Sequence, residues 1–152
     1  MAELEVRPIR AQELDELLPL IAGYQTFYGA EPDLERNRRF FSRFLDPSDE
    51  GLLLGAWVKG RLAGFATLYW FFSSTKAKET VLMNDLFVRN EIRGAGIGRA
   101  LINSALDEAR RRGAAHLEWY TAPDNLTAQR LYDSMPGATR STWQAYEIEI
   151  EG

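Results

Sequence analysis

The sequence contains no cysteine and only one histidine, His116. Disulfides, thiolate metal sites and cysteine nucleophiles are therefore unavailable. A histidine-rich catalytic zinc site is not expected either. Carboxylates would have to supply nearly all the ligands of a metal, and no such cluster stands out, so none is expected. Long apolar runs are also missing. The longest, such as residues 52–58, are strand-sized and fall short of the roughly 20 residues that span a bilayer as a helix. The opening MAELEVRPIR lacks the apolar stretch of a signal peptide, and the expectation is a cytoplasmic protein with no membrane partner. Positive charge is not in excess. The formal net charge of -4 argues against nucleic acid as a partner.

What remains is the composition of an ordinary globular protein, 45% hydrophobic and 26% charged over 152 residues. That length fits one domain, 1–152, with a core of its own. Leu4, Val6 and Ile9 predict a first strand, and Pro8 places it at a sheet edge or near its own end. Leu14, Leu17, Leu18 and Ile21 follow at helical spacing, although Ala11 stands where a capping side chain would help. Asp33 caps a predicted second helix that Pro47 ends. Residues 52–58 and 62–72 read as two strands of a hairpin turned at Lys59-Gly60. Gly64 within the second strand marks a bulge or a close backbone approach.

Residues 81–88 form the next predicted strand. Strict alternation would put Val81, Met83, Asp85 and Phe87 on one face. Asn84 and Asp85 at its middle are informative, because burying them costs free energy unless something pairs with them. Ile97, Leu101, Ala105 and Ala109 form the ridge of a helix over 97–112, with Arg110, Arg111 and Arg112 in its last turn and Gly113 as its stop. A strand over 117–121, a helix over 125–135 and a final strand over 143–150 complete the reading, with a short extra strand near Ala138. The fold class is α/β (α+β), a mixed sheet with helices on its faces. A doubly wound dinucleotide fold would place its glycine loop after the first strand; here the loop comes two-thirds along.

That loop runs Val88-Arg89-Asn90-Glu91-Ile92-Arg93-Gly94-Ala95-Gly96-Ile97-Gly98-Arg99. A strand ends, a loop turns and a helix begins. The first amides of a helix have no acceptor within it and can hold an anion. Glycines let phosphate oxygens approach the backbone, and Arg93 and Arg99 offer charge-assisted bonds. The Lys-Ser or Lys-Thr pair of a P-loop is absent, as is a suitably placed acid for ribose. An adenosine diphosphate moiety carried by another molecule fits better.

At these residues the chain resembles the GNAT superfamily of acyl-coenzyme A-dependent N-acyltransferases. Arg93, Gly96 and Gly98 match the family's loop. Asn84-Asp85-Leu86-Phe87-Val88 precede it, and Asn125 and Tyr132 follow at the family's usual spacing. The resemblance implies a GNAT-like, mostly antiparallel sheet of six to seven strands, splayed centrally and flanked by about four helices. It implies acetyl-coenzyme A as cosubstrate. The pyrophosphate would sit on Arg93, Gly94, Ala95, Gly96, Ile97, Gly98 and Arg99, and the pantetheine arm would run along Leu86, Phe87 and Val88. The sheet would open between this strand and residues 117–121. Asn125 would help position the arm, and Tyr132 matches the general acid that protonates the departing thiolate. As a bare residue Tyr132 reads more readily as a half-buried helix tyrosine packing on the sheet; Asn125 and the glycine loop shift it toward the acid.

Asp85 is a candidate to bind an ammonium group or to take its proton through water. The alternative is a structural carboxylate held by backbone amides or an internal arginine. The family's diamine-acetylating branch often has two acids here, whereas this chain has Asn84 then Asp85. Tyr24, Phe27 and Tyr28 are placed to wall an amine pocket, and Trp119 adjoins the expected opening. The substrate-binding set is Tyr24, Tyr28, Asn84, Asp85 and Trp119. His116 has no evident acid partner in the sequence, which favours a structural role. Trp143 and Tyr146 pack either on a second subunit of a homodimer or in the internal core. The expected activity is acetylation of a primary amine on a small molecule. Acetylation of a protein N-terminus or lysine, and non-catalytic acyl-coenzyme A binding, are the alternatives.

Overall fold

The computed structural model describes residues 3–92 and 95–151. They divide into two compact units, Met1–Tyr120 and Thr121–Gly152. The first unit holds β1 (Leu4–Pro8), α1 (Leu14–Phe27), α2 (Leu34–Phe41), β2 (Gly51–Val58), β3 (Arg61–Ser73), β4 (Lys78–Val88), α3 (Ile97–Arg111) and β5 (Leu117–Glu118). The strands lie side by side in chain order. The first four pair antiparallel, whereas β4 and β5 run parallel, because α3 carries the chain back across the sheet between them.

Local chemistry explains the elements. Pro8 closes β1, an edge strand where its missing N–H costs no ladder bond. The poor cap before α1 is remedied one turn earlier, where Glu13 accepts from the Arg10 amide at 2.9 Å. The Arg7 guanidinium grips the same carboxylate at 2.7 and 2.8 Å and, despite partial burial, holds its pKa near about 2. Asp33 caps α2 by accepting from the Arg36 amide at 3.0 Å. Lys59 and Gly60 both take positive φ in the β2–β3 turn, as a two-residue hairpin loop requires. The expected irregularity at Gly64 is present: Ala56 pairs with Gly64 but Trp57 with Leu62, leaving Ala63 as an extra residue. A Cβ on Gly64 would lie 2.7 Å from the Phe87 carbonyl oxygen, so glycine is also needed for the approach of β4.

One core lies under α1 and α2. Leu14, Leu17, Leu18 and Ile21 pack there with Phe41, Phe44, Leu53 and Phe65. On the opposite face α3 buries Ile97, Leu101, Ile102, Ala105 and Ala109. Gly113, at φ +71, ends that helical segment as expected.

The second unit contains α4 (Leu126–Ser134), and residues 136–151 form no strand. The sheet therefore has five strands rather than six to seven. The strands expected over 143–150 and near Ala138 are the ones missing. Tyr146, Ile148 and Ile150 alternate with Glu147 and Glu149 as a strand would, but a strand needs a neighbour to bond to, and none is paired with this segment. Trp143, Tyr146, Ile148 and Ile150 are each more than four-fifths exposed.

Candidate active site

A single extra residue in β4 shapes the site. Leu68 pairs with Met83, but the adjacent Thr67 pairs with Asp85. Asn84 is thus bulged out of the ladder, and the alternation of faces changes phase across it. Asp85 consequently does not share a face with Val81 and Met83, as unbroken alternation predicted. It lies on the α1 side of the sheet with Leu82 and Phe87. Phe87 confirms the side, its ring standing 6.2 Å from that of Tyr24 on α1.

The same bulge redirects the backbone. The Val81 amide donates to the His116 carbonyl, on the β5 side. The Arg89 amide donates to Ala63, on the β3 side. Alternation from Arg89 then turns the peptide groups of Phe87 toward β3 and those of Leu86 and Val88 toward β5. The β4–β5 ladder, however, ends at Leu82 opposite Glu118. Beyond that point the strands are no longer paired, and Leu86 and Val88 offer backbone groups to the opened side. The strand expected over 117–121 is itself confined to Leu117–Glu118, so the unpaired stretch of β4 lies beside the end of an edge strand.

Asp85 is 4% exposed. Among the described residues no cation forms an ion pair with it, so the internal arginine weighed from the sequence is not found. Asn84 Nδ2 donates to its Oδ1 at 2.9 Å; a second acid at position 84 would repel the carboxylate that this amide serves. Burial pushes the Asp85 pKa up, although Thr67, Tyr24 and Asn84 all act to favour the charged form. The contact with Thr67 is incomplete, since its Oγ1 is fully buried and forms no well-made hydrogen bond. Burial, and then the charge of Asp85, raise the Tyr24 phenol well above its usual range, and Tyr69 is affected in the same way. Tyr24, Phe65 and Phe87 form an aromatic cluster on the same face of the sheet as the carboxylate, with ring centroids 6.0 to 6.2 Å apart. A carboxylate near aromatic rings is an environment suited to an ammonium group.

The other expected residues divide. Tyr28 packs against Tyr24 in a tilted pair, ring centroids 4.9 Å apart, but is largely exposed at the end of α1. Trp119 follows β5 and is half-buried. Ala95 and Gly96 are exposed ahead of α3; Arg93 and Gly94 lie outside the described residues. Gly96 takes φ +76, and the position its Cβ would fill has nothing within 4 Å. A bare left-handed residue at a helix start, with open space above it, fits the approach of a phosphate. Gly98 and Arg99 fall in the first turn of α3. Asn125 and Tyr132 belong to the second unit. Asn125 caps α4, its Oδ1 accepting from the Ala128 amide at 3.2 Å, and Tyr132 lies within that helix.

Three residues were missed in the sequence. Thr67 and Tyr69 reach the site through the pairing of β3 with β4, which no local pattern announces. Glu118 is the acid partner that His116 lacked on paper: His116 Nε2 lies 3.0 Å from its Oε1. His116 immediately precedes β5 and lies two residues from Glu118, a spacing that puts extended residues on one side, and that spacing was the available signal.

The Acetyltransferase (GNAT) family profile matches residues 14–135. The chain belongs to this family. Its relatives include the uncharacterized N-acetyltransferase YhfO of Bacillus subtilis (strain 168), 32% identical over 130 residues, or 86% of this chain and 87% of the relative. The D-amino-acid N-acetyltransferase HPA3 of Saccharomyces cerevisiae is 32% identical over 129 residues, 84% of this chain and 80% of its own. Among solved structures, a probable acetyltransferase superposes with a TM-score of 0.84 at 29% identity, covering 97% of this chain and 99% of the other. The protein is thus an acetyl-coenzyme A-dependent acyltransferase with a mixed α/β fold and a largely antiparallel sheet. Among the described residues no helix is long and apolar enough to cross a membrane.

Proposed function

We propose that the protein acetylates a primary amine of a small molecule by direct attack on the thioester of acetyl-coenzyme A. The observation that supports this reading is Asp85: a buried carboxylate with no cationic partner among the described residues, on the same sheet face as Tyr24, Phe65 and Phe87, beyond the last paired residues of β4 and β5. In the reaction the amine nitrogen forms the new C–N bond as the C–S bond breaks. The nitrogen loses a proton and the sulfur leaves as a thiolate that gains one. Asp85 holds the arriving ammonium and takes its proton, directly or through a water. Its raised pKa suits that task, because a base works best with a pKa nearer the working pH.

Residues 93–99 would hold the pyrophosphate, and the outward peptide groups of Leu86 and Val88 would hold the pantetheine arm. Phe87 would shape the same channel, and Asn125 would steady the arm. Tyr132 would protonate the thiolate. Tyr24, Tyr28, Asn84 and Trp119 would line the acceptor site. In this reading residues 1–152 act as one acyltransferase domain. Two copies associate through residues 143–150, a proposal supported by the exposure of Trp143, Tyr146, Ile148 and Ile150, since large exposed apolar patches mark interaction sites.

The test is release of free thiol from acetyl-coenzyme A across a panel of small amines, lysine peptides and peptide N-termini. Release with small primary amines is expected. Release with peptides alone would replace this reading with protein acetylation, and cofactor binding without any release would make the chain a binding module.

A further inference from the structure

Glu118 stands one strand away from Asp85 on the same face of the sheet. The registers establish this step by step. Glu118 pairs with Leu82 in the β4–β5 ladder, so their side chains share a face. Leu82 pairs with Tyr69, whose ring packs on Phe44 at 5.1 Å on the α1–α2 side. Thr67, two residues from Tyr69, pairs with Asp85. One strand spacing across and about two residues along put the Cα atoms of Asp85 and Glu118 roughly 8 Å apart. Both acids therefore flank the point at which the ladder opens.

The surroundings of the two acids differ. Asp85 is buried, with the unpartnered Oγ1 of Thr67 opposite it. The side chain of Glu118 is 29% exposed. Lys76 Nζ, which can only donate, contacts His116 Nδ1 at 2.9 Å. That leaves Nε2 as the proton-bearing nitrogen of a neutral imidazole, directed at Glu118 Oε1. Tyr120 donates its hydroxyl to Oε2 at 2.7 Å. Each oxygen thus receives one neutral donor and keeps capacity for another. The lysine sits on the opposite ring nitrogen, so Glu118 remains ionised without a cation directly on it. Partial burial opposes the charge, but the bonds from Tyr120 and His116 and the nearby cationic charge bring its pKa below the usual value. When the environments of two acids push them apart in this way, they take different roles.

We propose that Glu118 is a second recognition residue of the acceptor site, selecting acceptors that carry a second cationic group a few bonds from the reacting amine. This rests on the amine-acetylation reading above. Asp85 receives the reacting amine, and Glu118 holds the other cation. His116 and Tyr120 are positioning residues that fix the carboxylate.

Steady-state kinetics with cadaverine and pentylamine, which differ only in the second amine, test the proposal. The unmodified enzyme should show at least a tenfold lower KM for cadaverine. Glu118→Gln should shrink that preference about tenfold or more, acting on KM more than on kcat, and Glu118→Asp should restore part of it. Asp85→Asn should impair both amines. Equal KM values for the two amines in the unmodified enzyme would overturn the role of Glu118 without the need for any variant. So would a folded Glu118→Gln protein that keeps the preference. Turnover of no amine at all would instead overturn the reading on which the proposal rests.

Discussion

Replacing Asp85 by Asn should make the protein more stable at neutral pH and a poorer enzyme. The carboxylate is 4% exposed and no cation pairs with it among the described residues. Burying an ion costs several kcal/mol, and hydrogen bonds to a charged group return about 1.5–3 kcal/mol each. With one well-formed bond, from Asn84, and weaker help from Tyr24 and Thr67, the two sides leave a deficit of about 1–2 kcal/mol. The sign of the pH dependence follows from the direction of the shift. The pKa of Asp85 is raised in the fold, so above the ordinary carboxylate value of about 4 the native state holds a proton that the unfolded state has lost. Stability from this group therefore falls as pH rises through that window, and the loss is complete above the folded pKa. Asparagine keeps the shape and an acceptor for Asn84 but carries no charge. Asp85→Asn should match the parent near pH 3 and exceed it at pH 7 by about 1 kcal/mol, or roughly 2–4 °C in Tm for a chain of this size. Thermal unfolding across pH, paired with amine kinetics, measures both effects. A variant that is less stable at pH 7 and has an unchanged KM for amines would refute the reasoning and return Asp85 to the scaffold.

Gly96→Val should abolish tight binding of acetyl-coenzyme A by titration calorimetry, since a β-branched residue disfavours φ +76 and fills the open space above the loop; unchanged affinity in a folded variant would remove the phosphate site. Tyr132→Phe retains the ring and loses the hydroxyl, so turnover should drop by about 10²–10⁴-fold with cofactor affinity nearly constant, and parental turnover would exclude Tyr132 as the acid. Light scattering at micromolar concentration should give twice the 17.3 kDa chain mass, and Trp143→Lys with Ile148→Lys should return the monomer; a monomeric parent protein would refute the dimer.

The elements were legible where local chemistry decides them. The Lys59-Gly60 turn, the Asp33 cap and the Gly113 stop each follow from one or two residues, and all stand where the spacing put them. The helix ridge of Ile97, Leu101, Ala105 and Ala109 is buried as read. The strand expected over 143–150 failed for a reason that alternation cannot reveal, because a period of two shows what a strand would bury but not whether a partner is at hand. The site was legible in part. Asp85 was singled out by its cost of burial, and Tyr24 by its place at the end of a helix. Thr67 and Tyr69 come from another strand and could be found only through registers, whereas Glu118 had a signal in its spacing from His116 but takes its place beside Asp85 through the β4–β5 register.

The bulge at Asn84 links the two halves of the chemistry, and no composition argument anticipates it. Without the extra residue, alternation would carry Asp85 to the α3 side with Val81 and Met83, away from Tyr24 and Tyr69. The same phase change would turn the peptide groups of Leu86 and Val88 back toward β3, where the ladder would consume them. One residue therefore sets both the face on which Asp85 lies and the direction of the Leu86 and Val88 peptide groups, the two features on which the proposed amine and acyl-carrier sites rest. Bulges persist where they re-aim a side chain or end a pairing, and this one does both. It lies between Met83, the last residue in register with the second half of β3, and Asp85, the first in register with the first half. In the proposed reaction the acceptor and the cosubstrate would then approach opposite sides of one strand, beyond the last paired residues of β4 and β5.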